Sequence, residues 1–195
     1  MKTLFTRVFS AVCTLAVSAS LAGCGTTFNQ QLSGHWKSSS CEPAGNGIFL
    51  KRDFTLTEST WNLTVTIYND AACTVQFLGA NVGGNYQVKQ ASQSVSGATE
   101  VDYQFSTRTV TPLSSAAAST LQSGMCGTGP WSVGKVTDIG ATGCAALGFP
   151  SNATCPTELD LNQINGDSLF FGDRSADLCK ARPGKLGAYP VSRVP

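Results

Sequence analysis

Between residues 48 and 68 apolar side chains recur at every second position, and that period restricts the segment to strands. Trp61, Leu63, Val65 and Ile67 share one face, with Asn62, Thr64, Thr66 and Tyr68 on the other, as in a half-buried antiparallel strand. In the preceding run, 48–57, Leu50, Arg52, Phe54 and Leu56 share a face, and Glu58-Ser59-Thr60 can turn the chain between the two. Further strands are expected at 73–78, 85–95, 100–110, 131–139, 145–149, 158–164, 168–171 and 189–194, with residues 79–84 and Asn165-Gly166-Asp167 among the separators. About nine strands at such spacing form a meandering antiparallel sheet that curls into a barrel. Residues 113–121 are the exception: Ala-rich, following Thr111-Pro112 and carrying a Ser cap, they predict one short helix. The expected class is therefore all-β, one barrel domain over 33–195.

Residues 1–23 have the layout of a secretory signal, with Lys2 and Arg7 ahead of an apolar run that ends in small residues. The apolar run is shorter than the roughly 20 residues that span a bilayer, so it predicts a cleaved signal. Leu21-Ala22-Gly23-Cys24 resembles the bacterial lipobox, which implies acylation of Cys24 and an anchor in a membrane of the cell envelope. Gly25 in place of Asp favours the outer membrane. Residues 24–32 read as the acylated cysteine and a short polar tether.

Losing Lys2 and Arg7 with the signal leaves 11 basic against 12 acidic residues, a formal charge of −1. Without a basic surplus to hold phosphates, a nucleic-acid partner is not expected. Cys13 leaves with the signal as well, so Cys41, Cys73, Cys126, Cys144, Cys155 and Cys179 remain for an oxidising compartment. An even number there predicts three disulfides, and of the possible connectivities the sequential one closes the shortest loops. A zinc site is not expected, because the chain has no Cys-x-x-Cys and a single histidine, His35. No cofactor is implied. His35 has no sequence context for catalysis, the carboxylates are scattered, and no Gly-x-Ser-x-Gly elbow occurs. A non-enzymatic protein is expected. Lys51-Arg52 and the basic residues of 180–185 read as solvated surface.

With the cysteines in place, the chain contains Gly34-His35-Trp36-Lys37-Ser38-Ser39-Ser40-Cys41-Glu42-Pro43, Phe49-Leu50-Lys51-Arg52 and Tyr68-Asn69-Asp70-Ala71-Ala72-Cys73. Later come Val110-Thr111-Pro112, Cys126-Gly127, Trp131-Ser132-Val133-Gly134 and Gly143-Cys144-Ala145-Ala146-Leu147-Gly148. In these motifs the chain resembles the adenomatosis polyposis coli down-regulated domain family, whose animal members are membrane-bound Wnt antagonists. The resemblance covers roughly residues 32–193. It implies a half-open antiparallel barrel with an apolar interior associated with holding lipid, and pairing of Cys41 with Cys73 and of Cys126 with Cys144. Cys155 and Cys179 then pair by exclusion. Gly34-His35-Trp36 also resembles the Gly-x-Trp signature of lipocalins, which makes Trp36 the plug of the closed end. Gly34, Trp36 and Trp131 are expected to be structural.

Inward side chains either fill a barrel or line a cavity. An open interior would be lined by Trp61, Leu63, Val65, Ile67, Tyr103 and Phe105 and would take a lipid or another hydrophobic small molecule. A filled one would leave an envelope module that docks a protein through its rim. An apolar volume of about 300 Å³ or more separates the two readings.

Overall fold

The computed structural model describes residues 26–124 and 126–195; the expected signal segment, 1–23, and the expected acylation site, Cys24, lie outside them. A capping box opens the described chain: the Thr27 hydroxyl accepts from Gln30 N, and the Gln30 side chain accepts from Thr27 N. It starts α1 (Phe28–Leu32), which buries Leu32 completely and packs Phe28 against the core. Residues 28–32, expected as polar tether, thus belong to the fold. The apolar Phe28 and Leu32 lie four apart on one helix face.

β1 (Gly34–Ser38), β2 (Glu42–Gly45), β3 (Ile48–Leu56) and β4 (Thr60–Tyr68) follow, then the long β5 (Gln76–Ala91), β6 (Thr99–Gln104) and β7 (Thr107–Pro112). After α2 (Ser115–Ser123) come β8 (Thr137–Asp138), a single 3-10 turn at Ala145–Leu147, β9 (Thr157–Asn165), β10 (Ser168–Phe171) and β11 (Val191–Arg193). Eight strands close a hydrogen-bonded antiparallel ring in the order β1, β3, β4, β5, β6, β9, β10, β11 and back to β1. Toward one end the ring parts. The first residues of β3 pair with β2 instead of β1, the first half of β5 pairs with β7 instead of β6, and β8 extends that edge. The all-β barrel read from the sequence is therefore closed along one half and flared along the other.

The sealed end is built around Trp36, which is 0% exposed. Its indole Nε1 donates to Leu32 O at 2.8 Å, and the Arg193 guanidinium lies 4.0 Å over its ring. Arg193 also donates to the carbonyls of Ser33 and Gln31, so indole and guanidinium together satisfy the open carbonyls at the end of α1. Gly34 is required here. Its φ is +138°, and a Cβ would come within 2.6 Å of Arg193 Nη1.

Gly79 to Gly84 do not end a strand as expected. β5 runs straight through them, and two of the glycines sit where neighbouring backbone leaves no room for a side chain: a Cβ on Gly84 would sit 2.1 Å from Gln104 O, and one on Gly83 2.8 Å from Trp61 O. A glycine within a strand marks such close approach as readily as a turn. The expected 100–110 strand breaks at Phe105 and Ser106. Tyr103 faces Tyr86 and Thr107 faces Gly83, so β6 and β7 spend one residue more than β5 over that stretch, as in a bulge. Of the expected strand at 131–139 only β8 forms, and 145–149 contains the 3-10 turn. β1 and β2 were not anticipated; Trp36 is the only large apolar residue in either, and two-residue alternation is too short to register there.

The expected helix is α2, capped by the Ser114 side chain accepting from Ala117 N at 3.1 Å. It buries Ala117 and Leu121 beside Leu78, Val110, Ile139 and Trp131, in a second core over the flared end. Trp131 Nε1 donates to Cys126 O at 2.9 Å, consistent with a structural role. The three disulfides are Cys41–Cys73, Cys126–Cys144 and Cys155–Cys179. No described helix is long and apolar enough to cross a membrane.

Candidate functional site

Cross-strand register decides which side chains enter the barrel. Leu50, Arg52, Phe54 and Leu56 pair with Ile67, Val65, Leu63 and Trp61, and these in turn with Leu78, Ala80, Val82 and Gly84, so all share the inner face. The lower part of that interior is filled. Phe54 stacks on Phe171 with ring centroids 4.4 Å apart, and Trp61 meets Tyr103 and Phe105 edge-on at 5.1 and 5.3 Å. The polar ends of this aromatic layer are satisfied: Trp61 Nε1 donates to Gln104 O at 3.1 Å, and the Tyr103 hydroxyl to Asn162 Oδ1 at 2.7 Å.

Above the layer the interior is open. A cavity of about 710 Å³ is walled by Leu50, Leu63, Val65, Ile67, Ala80 and Val82, floored by Trp61, Tyr103, Phe105 and Phe171, and bordered by Phe149, Pro150 and Tyr189. All six residues nominated from the sequence, Trp61, Leu63, Val65, Ile67, Tyr103 and Phe105, line it. The barrel interior is thus filled below and open above, with a volume beyond the roughly 300 Å³ that separates the two readings. His35 stays outside, its Nε2 within hydrogen-bond distance of Asp53 Oδ1, 2.6 Å, on the outer face of β1 and β3.

Charged residues line the same space. Arg52, expected on the surface, turns inward and donates from Nε to Glu42 at 3.1 Å. Glu158 and Asp160 on β9 face Arg174, and Asp173 faces Lys185 at 3.7 Å. Arg108 on β7 also reaches the cavity. Sequence alternation hides it, because the 101, 103, 105 face of an unbroken strand continues to 107 and 109. The irregularity at Phe105 and Ser106 turns 108, 110 and 112 inward instead.

Asp160 is 2% exposed. Its Oδ1 accepts from Leu161 N at 2.7 Å and Gly172 N at 2.9 Å, and Arg174 Nη1 stands 3.7 Å from Oδ2. Burial outweighs these contacts and pushes the carboxyl up to about 6 from its ordinary 3.8. The folded state thus holds the proton more tightly than the unfolded one. Ionised Asp160 costs stability above about pH 6, and the cost fades as pH falls toward 4. Asp160→Asn retains an oxygen for both backbone donors. We expect its stability advantage over wild type, from urea unfolding, to shrink by about 2 kcal/mol between pH 7.5 and pH 4. An advantage that does not change with pH would contradict this assignment.

Against known families, the model described as Adenomatosis polyposis coli down-regulated 1 matches residues 19–138, more than half of the 195 residues. The match ends before Cys144 and before β9, β10 and β11, which close the ring.

Proposed function

The chain belongs to the adenomatosis polyposis coli down-regulated 1 family, and from that premise we propose that it is a membrane-anchored lipoprotein of the bacterial envelope whose barrel holds the hydrocarbon part of an amphiphile. The observation that carries this reading is the open volume above the aromatic layer. At about 710 Å³ it falls within the roughly 300 to 1,000 Å³ of small-molecule sites, which are mostly apolar with a few placed polar groups. Burying an acyl chain against Leu63, Val65 and Ile67 gains about 25 cal/mol per Å² before the costs of ordering. The protein acts by binding, with no bond made or broken. A filled module docking through its rim would have no use for such a volume. The Wnt setting of the animal relatives does not carry over to an envelope protein; the scaffold does. Titration of the lipid-stripped protein with a fluorescent fatty acid tests the reading: it requires saturable uptake near one per barrel, and uptake that never saturates would refute it.

The anchor is Cys24, through the lipobox Leu21-Ala22-Gly23-Cys24. Each acyl methylene adds about 0.8 kcal/mol of membrane affinity. Cys24→Ser is therefore expected to abolish palmitate labelling and move the protein to the soluble fraction. Labelling that persists in the variant would place the anchor elsewhere.

A further inference from the structure

Among the described charged residues that line the cavity, Arg108 alone has no opposite charge within ion-pair distance. It is 2% exposed. A guanidinium carries five N–H donors, and the protein uses few of them: Nη1 donates to Pro150 O, Nη2 to Cys155 O at 3.2 Å, and Nε is buried with no partner. Phe105 packs 3.7 Å from the guanidinium over one face, and Arg108 stands among the residues that line the cavity. Burial lowers the pKa of the group from its ordinary value, yet an arginine remains charged in any protein interior. A buried, charged donor without an acceptor is costly, and the backbone carbonyls that hold it offer no counter-charge. The nearby Glu158 is committed to Arg174.

We propose that Arg108 receives the anionic head of the cavity's ligand, a carboxylate or phosphate monoester on a long alkyl chain. An oxyanion brought against the guanidinium from the cavity supplies the opposite charge at ion-pair distance and an acceptor for N–H groups that the protein leaves unused, the pairing that arginine makes well with carboxylates and phosphates. The register fits, since Arg108 pairs with Val82, and Val82 with Leu63. A head at that level leaves the tail the wall that continues through Val65 and Ile67 toward the flared end. The ligand class is then an acidic amphiphile, bound head inward.

This rests on the acyl-cavity reading, and the test separates the two. Palmitic acid, hexadecyl phosphate and hexadecanol are each titrated at pH 8 against a neutral pyrene-alkyl probe bound to the lipid-stripped full-length protein. At least one acid is expected to displace the probe at a concentration 10-fold or more below that of hexadecanol, and the better of the two identifies the head. In Arg108→Gln the gap between the better acid and hexadecanol should close to under 2-fold, and a gap that persists would overturn the assignment. If both acids and the alcohol are equivalent in the wild type, the anion site is overturned while the acyl cavity stands. Failure of all three to displace, or of the probe to bind, removes both. The wild-type comparison decides even where Arg108→Gln does not fold.

Discussion

Trp36→Ala lowers unfolding free energy by about 3–5 kcal/mol, the range for truncating a large buried aromatic, and with a total of roughly 5–15 kcal/mol for a domain this leaves a marginal fold. The loss has three sources. The fully buried ring (0% exposed) leaves a hole at the sealed end. Leu32 O loses its indole donor. Arg193 loses the face it stacks on, which matters because Arg193 connects β11 to α1 across the seam between the first and last strands. Trp36→Phe keeps most of the packing and removes only the indole donor, so it is expected to cost about 1–3 kcal/mol. Urea unfolding with the disulfides intact measures both variants. A cost below about 1 kcal/mol for Trp36→Ala would mean that the sealed end does not depend on its plug.

Val65→Lys abolishes ligand uptake while leaving the fold in place. Val65 sits on β4 between Arg52 and Ala80 in register, on the inner face and lining the cavity. An ammonium there is placed beside a like-charged guanidinium whose carboxylate, Glu42, is already taken. A hydrocarbon tail laid over it would strip its water without supplying a partner. We expect a loss of at least 10-fold in affinity for a fluorescent fatty acid, with far-ultraviolet circular dichroism unchanged. Val65→Leu, which keeps the wall apolar, stays within a few-fold of wild type. Equal binding by wild type and Val65→Lys would place the ligand somewhere other than this wall.

How much of this was legible before the fold was known varies with how local the signal is. β3 and β4 were read nearly to the residue because both alternate cleanly, and alternation also assigned the cavity wall, since the residues of one strand face share one environment. The disulfides followed from the even cysteine count together with the family resemblance. What escaped depends on distant parts of the chain. Gly83 and Gly84 look like a turn but admit the crossing backbones of Gln104 and Trp61. α1 looks like tether in the sequence because five residues give too little periodicity, although its capping box is present in Thr27 and Gln30. Arg108 was missed because a single extra residue reverses every later side chain. Asp160 was missed because β9 has polar residues on its inner face: Glu158, Asp160 and Asn162 pair with Tyr103, Val101 and Thr99. Alternation alone turns the leucines at 159 and 161 inward. A polar group placed inside a barrel breaks the rule by which the inside is recognised, and such breaks gather at functional or strained sites.

The upper cavity is proposed to hold an alkyl chain. Native mass spectrometry of the full-length protein, purified from its own host, tests that most directly. The expected result is an adduct of one long-chain acidic amphiphile per barrel, retained in the Cys24→Ser variant, which lacks the proposed anchor, and lost in Val65→Lys. A Cys24→Ser protein that appears only at the mass of the bare polypeptide, and stays so after incubation with long-chain fatty acids, would contradict it.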